Sequence, residues 1–457
     1  MGGIDRDLLR DGVAYVDHWV AYQQDRRELP GVVVAIQCDD QLVFSRGYGY
    51  ADLERQIPMT PQHIFRVASH SKTFTATAIM QLVEQGILRL DDRLGAHIPW
   101  LGPQESLARV TLRQALNHTG GLIRDGTEAD YWQLDDAFPD VEGLRRLVAE
   151  GGATLAANVI FKYSNIGYAI LGMVVEAASG LPYNAYVARH IVERLGLADT
   201  GPETDAHARG RLATGYTVRR LGLPRRPIPD VATRALSPAT GFYSTAEDLC
   251  RYAAAHFMGD ARLLSDAAKR EMQQPYWTIE QADEHYGLGF SVVTIGERRM
   301  VGHGGGFPGH ATRTLIDPRD RLVVVVLVNE IGGPADALAR AIVTLIDFAL
   351  CQPRASVGRA PDTHVRFTGQ FVNLWGVTDV AAFGDTVVAL SPEGDDPLKR
   401  VTWLTVEDED TLRMTRTNGY GAPGETLRYV RDDAGQVAKV VMGGVSMYPV
   451  EVYRARQ

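Results

Sequence analysis

Ser69-His70-Ser71-Lys72 sets a hydroxyl and an amine three residues apart. On a helix those two side chains share a face and touch, and a serine becomes a nucleophile at neutral pH when a neighbouring base takes its proton. The free N–H groups and field of a helix N-terminus favour the negative charge that such an attack develops. A second set is Tyr163-Ser164-Asn165, in the polar stretch 162–167. A tyrosine held beside an ammonium can accept a proton, because the positive charge lowers the phenol's pKa. An asparagine amide can hold the lysine and bind a substrate carbonyl. The third set is His303-Gly304-Gly305-Gly306. Its glycines let a substrate approach backbone N–H groups, as an oxyanion hole requires, and the imidazole adds a donor at the rim. Each set also has a plainer reading: an exposed helix start, a loop tyrosine with a capping asparagine, a hairpin turn. Ser71 is a poor rival to Ser69, because adjacent side chains diverge on a helix.

These residues need elements to hold them. Ile4, Leu8, Val13, Val16 and Val20 fit a helix burying one face. Residues 31–36 and 42–50 read as two strands around Asp39-Asp40. After Pro61 a helix is expected to start near Ser69, carry Phe74, Ala78, Ile79, Leu82 and Val83 on one side, and end at Gly86. Helical patches follow, for example at 141–150, 169–178 and 246–258. Strand patterns return at 289–294, 299–303, 310–316 and 321–328, before a helix at 335–350. Strands at both ends with helices between them predict an α/β (α+β) fold. One antiparallel sheet is flanked by helices, and an all-helical subdomain, roughly 87–275, is inserted into it. The hydrolase-like domain is expected over 1–350. Pro353, Gly358 and Pro361 mark 351–363 as a linker. Short β-branched runs at 367–371, 386–390, 401–406, 411–415, 426–430 and 438–442 make 364–457 a small all-β, lipocalin-like barrel or sandwich. Its acidic loop, Glu393, Asp395 and Asp396, reads as a solvated turn, with a contact to a substrate amine as the alternative.

At 457 residues the chain exceeds what one core usually serves. With 47 Lys and Arg against 56 Asp and Glu the net charge is −9, the wrong sign for a nucleic-acid partner. The longest aliphatic run, Leu322 to Val328, is far short of the roughly 18 residues of a membrane span. The first residues lack a secretory pattern, so a soluble, cytoplasmic protein is expected. Cys38, Cys250 and Cys351 are widely separated and read as buried structural thiols. His118 and His310 lack metal-ligand spacing, and the glycines of 302–309 are not followed by the Gly-Lys-Ser/Thr of a phosphate loop. No metal or other cofactor is predicted, and no Gly-x-Ser-x-Gly elbow points to an α/β-hydrolase.

The order Ser-x-x-Lys, Tyr-x-Asn about a hundred residues on, and His-x-Gly near the last strands resembles the serine β-lactamase and penicillin-binding protein superfamily. Tyr163 and His303 depart from the Ser-Asp-Asn and Lys-Thr-Gly forms toward the branch with class C β-lactamases, D-aminopeptidases, D,D-carboxypeptidases and family VIII-type esterases. Residues 65–76, 116–122 and 241–249 look like that branch too, and the resemblance covers about 10–350. It implies that Ser69 is acylated, that Lys72 and Tyr163 share the general base and acid work, and that Asn165 positions Lys72 and the substrate amide. It also implies an oxyanion hole from the backbone N–H groups of Ser69 and Gly306, with His303, Gly304 and Gly305 along the same wall.

Where better-known members carry a lysine in the third motif, this chain has His303, mostly uncharged at neutral pH. A fixed cation for a substrate carboxylate is therefore missing. The expected substrate is a small molecule or short peptide, an amide or ester with a neutral or amine-bearing acyl portion, such as small esters or D-amino-acid peptides. The alternatives are a β-lactamase or D,D-carboxypeptidase and, in another class, a penicillin-binding sensor that is acylated without turnover or an inactive binding relative.

Overall fold

Leu322–Val328 is apolar at every position, and such a strand must be covered on both faces. The computed structural model, which describes residues 4–102, 105–282, 284–354, 362–418 and 421–457, buries all seven of these residues in the middle of a sheet. In chain order the elements that matter are α1 (Arg6–Arg26), β1 (Gly31–Cys38), β2 (Gln41–Asp52), β3 (Ile57–Pro58), α2 (Ser71–Glu84), α3 (Val141–Gly151), α4 (Asn165–Ser179) and α5 (Ala246–Ala254). They continue with β4 (Trp277–Ile279), β5 (Glu284–Tyr286), β6 (Ser291–Ile295), β7 (Arg298–Phe307), β8 (His310–Asp317), β9 (Leu322–Val328) and α6 (Ala335–Leu350). The sheet is antiparallel with order β3-β2-β1-β9-β8-β7-β6-β5-β4, so N-terminal and C-terminal strands meet where Val34 faces Val326. The expected fold class is what is found.

The region between the two strand groups is mostly helical. It also contains two short pairings, Gly215–Tyr216 with Pro227–Ile228, and Phe65–Arg66 with Tyr243–Ser244. The second of these fixes the segment that leads into Ser69. Helix α2 is buried along nearly its whole length, which its Thr, Ala, Phe and Ile residues permit, and it packs against α4 and the turn Ser237–Gly241. It ends before Gly86, whose φ of +73° suits glycine.

The chain forms two compact units, one of residues 29–339 and one of the residues up to Glu28 together with 340–457. Helix α6 runs from the first unit into the second at Arg340. The second unit contains a closed antiparallel barrel of β10 (Gly369–Asn373), β11 (Gly376–Phe383), β12 (Thr386–Leu390), β13 (Val401–Val406), β14 (Thr411–Thr417), β15 (Thr426–Arg431), β16 (Val437–Met442) and β17 (Val445–Pro449). Phe371, Val380, Leu404, Leu412, Tyr429 and Val440 are part of its packed core. Helix α1 joins this unit through hydrogen bonds. The Tyr15 hydroxyl donates to Asp379 at 2.9 Å, and Gln23 Nε2 donates to the carbonyl of Pro392 at 2.5 Å. In the acidic loop, Asp395 is paired with Arg27. Of the expected linker 351–363, residues 355–361 lie outside the described residues.

Cys38 and Cys250 are buried thiols as expected, but Cys351 is exposed, because it falls just past the end of α6, where the packed face of the helix stops. Among the described residues no single helix is long and apolar enough to cross a membrane.

Candidate active site

A tight turn presents Ser69. Residues Ala68–His70 form one turn of 3-10 helix, and α2 starts only at Ser71, so Ser69 precedes the helix rather than opening it. Ala68 is held at φ +48°, a left-handed conformation that costs a residue with a Cβ about 1 kcal/mol. Two side-chain bonds of Ser71 hold the turn: its hydroxyl donates to the carbonyl of Ala68 at 2.6 Å and accepts the Phe242 N–H at 3.0 Å. Ser71 is thus structural, and Ser69 alone of the two faces the cleft.

Lys72 is fully buried one turn later, with three oxygens around its Nζ: Ser69 Oγ at 3.0 Å, Asn165 Oδ1 at 2.7 Å and the Ala239 carbonyl at 2.8 Å. Burial pushes its pKa well below the usual lysine value; Asp125 opposes that shift and Arg124 adds to it. Tyr163 donates its hydroxyl hydrogen to Ser69 Oγ at 2.9 Å, and Lys72 Nζ lies 4.7 Å from the centre of its ring. Burial raises the Tyr163 pKa, and its hydrogen bond to Ser69 only partly offsets this, so the phenol keeps its proton at neutral pH.

Asn165 is the first residue of α4, capped by Ser164, whose hydroxyl accepts the Gly167 N–H at 2.8 Å. Its amide is oriented by its two partners, with the oxygen toward Lys72 and the nitrogen donating to Asp125 Oδ1 at 2.6 Å. Asp125 also accepts from the Trp132 indole at 3.0 Å and pairs through Oδ2 with Arg124 at 3.1 Å. The Asn165 and Ile166 N–H groups bind the Arg124 carbonyl, which places this loop beside the α4 terminus. The reading of motifs missed Asp125 and Trp132. No spacing marks them, and only their position just after the 116–122 stretch offered a signal.

His118 grips both neighbours of Tyr163: its carbonyl accepts the Lys162 N–H at 2.8 Å and its Nδ1 accepts the Ser164 N–H at 3.1 Å. Its ring lies 4.2 Å from that of Tyr163. Burial holds its pKa well below the ordinary histidine value, the positive charge of Lys72 adding to the effect, so the imidazole stays neutral.

The opposite wall is β7. The glycines do not form a hairpin turn, the plainer reading of this run, but continue the ladder to β8, with His303 opposite Thr314, Gly304 opposite Arg313, Gly305 opposite Thr312 and Gly306 opposite Ala311. A Cβ on Gly305 would stand 2.3 Å from the Val67 carbonyl, so this strand approaches the Ser69 turn closely only because residue 305 has none. A Cβ on Gly306 would meet nothing within 4 Å. His303 is buried rather than at the rim. Its Nδ1 donates to the Gly304 carbonyl at 2.5 Å, and its Nε2 is hydrogen-bonded to the Tyr286 hydroxyl at 2.9 Å, a pair of contacts that the neutral ring can make. Burial, with the Lys72 charge, depresses its pKa to match. The cleft between these walls has a volume of about 530 Å³, and Trp132, Phe161, Ile279, Glu284 and Arg313 also line it. Arg313 pairs with Glu284 at 3.1 Å. His310 lies outside this cleft, buried with its ring edge-on to Phe65, and no cluster among the described residues has the makings of a metal site.

The sequence model of the Beta-lactamase family matches residues 16–346. The chain belongs to the beta-lactamase family. The match contains every residue of the cleft. Penicillin-binding protein 4* of Bacillus subtilis (strain 168) is 28% identical over 325 residues, 65% of this chain and 68% of that protein. The chain spans about two thirds of the length of the curated relatives it matches. In structure, the octameric penicillin-binding protein homologue from Pyrococcus abyssi aligns with a TM-score of 0.64 at 23% identity, covering 95% of this chain and 99% of that one. The D-amino acid amidase from Ochrobactrum anthropi SV3, complexed with D-phenylalanine, aligns with a TM-score of 0.64 at 23% identity, over 74% of this chain and 99% of the amidase. Both share the beta-lactamase family's fold with this chain.

Proposed function

We propose that this protein is a serine hydrolase that cleaves an amide or ester through an acyl-enzyme on Ser69, with Lys72 as the first proton acceptor. The observation that carries this reading is the set of oxygens around Lys72 Nζ. Asn165 Oδ1 and the Ala239 carbonyl can only accept, so they engage two N–H bonds of the amine. When Lys72 is neutral, its lone pair is left facing Ser69 Oγ. The depressed pKa of Lys72 and the raised pKa of Tyr163 support the same division of labour.

Ser69 Oγ attacks the substrate carbonyl carbon while its proton passes to Lys72 Nζ. The backbone N–H groups of Ser69 and Gly306 hold the resulting oxyanion. Tyr163 gives its proton to the leaving nitrogen or oxygen as the bond to the acyl carbon breaks, and Lys72 reprotonates Tyr163. Water then attacks the acyl carbon, its proton passing to neutral Lys72 Nζ, and Lys72 returns that proton to Ser69 Oγ as the ester bond to the acyl carbon breaks. Asn165, held by Asp125, keeps Lys72 in place.

The acyl portion is neutral or amine-bearing. Support comes from the neutral His303, and from Arg124 and Arg313, each already paired with a carboxylate that also lines the cleft. A substrate carboxylate would have to displace Asp125 or Glu284. The amidase among the structural neighbours is consistent with this class. The test is a fluorophosphonate label on wild type and Ser69→Ala, followed by nitrophenyl esters, D-amino-acid anilides and nitrocefin as substrates. Labelling confined to wild type, with turnover of esters or anilides, is expected. Fast, dominant nitrocefin turnover sinks the substrate class; stable labelling without turnover identifies a sensor, and labelling of Ser69→Ala removes Ser69 as nucleophile.

A further inference from the structure

One exposed segment is unlike the rest of this acidic chain. Residues 217–226 read Thr-Val-Arg-Arg-Leu-Gly-Leu-Pro-Arg-Arg, with four arginines and no acidic residue, in a protein of net charge −9. They form a hairpin: the Thr217 N–H binds the Arg226 carbonyl at 2.9 Å, and the Leu223 N–H binds the Arg220 carbonyl at 2.9 Å. At its tip Leu221 and Gly222 both have positive φ, +54° and +73°. A two-residue turn of this kind suits Asn-Gly, because a side chain such as leucine is strained in the left-handed region. Here the strained position carries a leucine that is 92% exposed, with Leu223 beside it at 52%. Arg219 and Arg220 are exposed beside this tip and Arg226 is exposed at the base of the hairpin, opposite Thr217, whereas Arg225 turns inward to Glu330 at 2.6 Å.

We propose that this hairpin tip docks on an anionic bilayer surface, with Leu221 and Leu223 entering the boundary between headgroups and acyl chains and the exposed arginines meeting lipid phosphates. Charge complementarity and the apolar apex select this occupant. Guanidinium groups pair with phosphates in a forked geometry, and polybasic segments are drawn to the negative potential of anionic lipids. A nucleic acid or other soluble polyanion would match the arginines but give the two leucines no apolar medium.

Full-length protein is sedimented with vesicles of phosphatidylglycerol and phosphatidylcholine, and with vesicles of phosphatidylcholine alone, at low and high salt. Binding is expected only to the anionic vesicles, weakening with salt. Leu221→Asn and the double variant Arg220→Ser with Arg226→Ser should each lower vesicle affinity at least tenfold. Leu221→Asn installs the residue the turn prefers, so an unchanged or higher melting temperature shows that the fold is intact. Equal binding to both vesicle types, wild-type binding by both variants, or hairpin-dependent binding to heparin without vesicle binding would overturn the proposal.

Discussion

Arg124 and Asp125 stand on opposite sides of the charge balance at Lys72. Burial is the main cause of its depressed pKa, the Arg124 cation depresses it further, and the Asp125 carboxylate raises it. If neutral Lys72 is the base, kcat/KM rises with pH as Lys72 loses its proton. Removing Arg124 removes a repulsion from the charged amine, so the Lys72 pKa rises. Arg124→Gln should therefore move the acidic limb of the kcat/KM profile to higher pH, measured with an uncharged ester. A limb that stays put or moves down would show that another group controls it.

At the scale of elements, the closest demand is placed on β7. Gly305 and Gly306 are neighbours in sequence but meet different surroundings, the first against Val67 and Thr312, the second facing open space in the cleft. Gly305→Ala should cost about 1 to 3 kcal/mol of stability, since the added methyl overpacks against backbone and forces the strand off the Ser69 turn. Gly306→Ala should melt like wild type and lose only activity. Chemical denaturation beside an ester assay separates the two, and equal melting would refute the packing argument. The same strand shows what was legible in the sequence. Ser-x-x-Lys, Tyr-Ser-Asn and His-Gly were visible because local spacing or chain order carries them, and α6 was visible because its apolar stripe has a helical period. The extension of β7 through Gly304, Gly305 and Gly306 was not, because glycine carries no strand preference and only the partner strand β8 explains it. Strands β11 and β17 were likewise not read, since Gly376–Phe383 and Val445–Pro449 are specified by barrel closure more than by local pattern. Asp125 became part of the site only when the loop folded onto α4.

At the scale of the whole molecule, several buried histidines stay neutral. Burial pushes His70 down to about 4 and His256 down to about 3, from an ordinary value of 6.5. The unfolded chain binds these protons and the folded one does not. The stability they carry is therefore complete above about pH 6.5 and is lost as pH falls toward the folded values. For His70 the full loss is on the order of 3 kcal/mol. His256 makes the sharper test, because neither of its ring nitrogens has a hydrogen-bond partner among the described residues. His256→Leu, close in volume, should flatten the loss of stability between pH 7 and pH 5 by about 2 kcal/mol, read from urea denaturation at the two pH values. An unchanged slope would mean that this imidazole titrates normally.

Helix α1 and the barrel share one unit although the whole of the other unit lies between them in the chain. That arrangement has a consequence for synthesis. A ribosome finishes β9, and with it the strands of the large sheet, about 120 residues before it finishes β17. At roughly 5 to 20 residues per second, α1 waits a further 6 to 24 seconds or so for the last strand of its partner. Throughout that interval Tyr15 and Gln23 have no closed barrel to bind, so α1 completes its contacts only after the strands of the large sheet have been made.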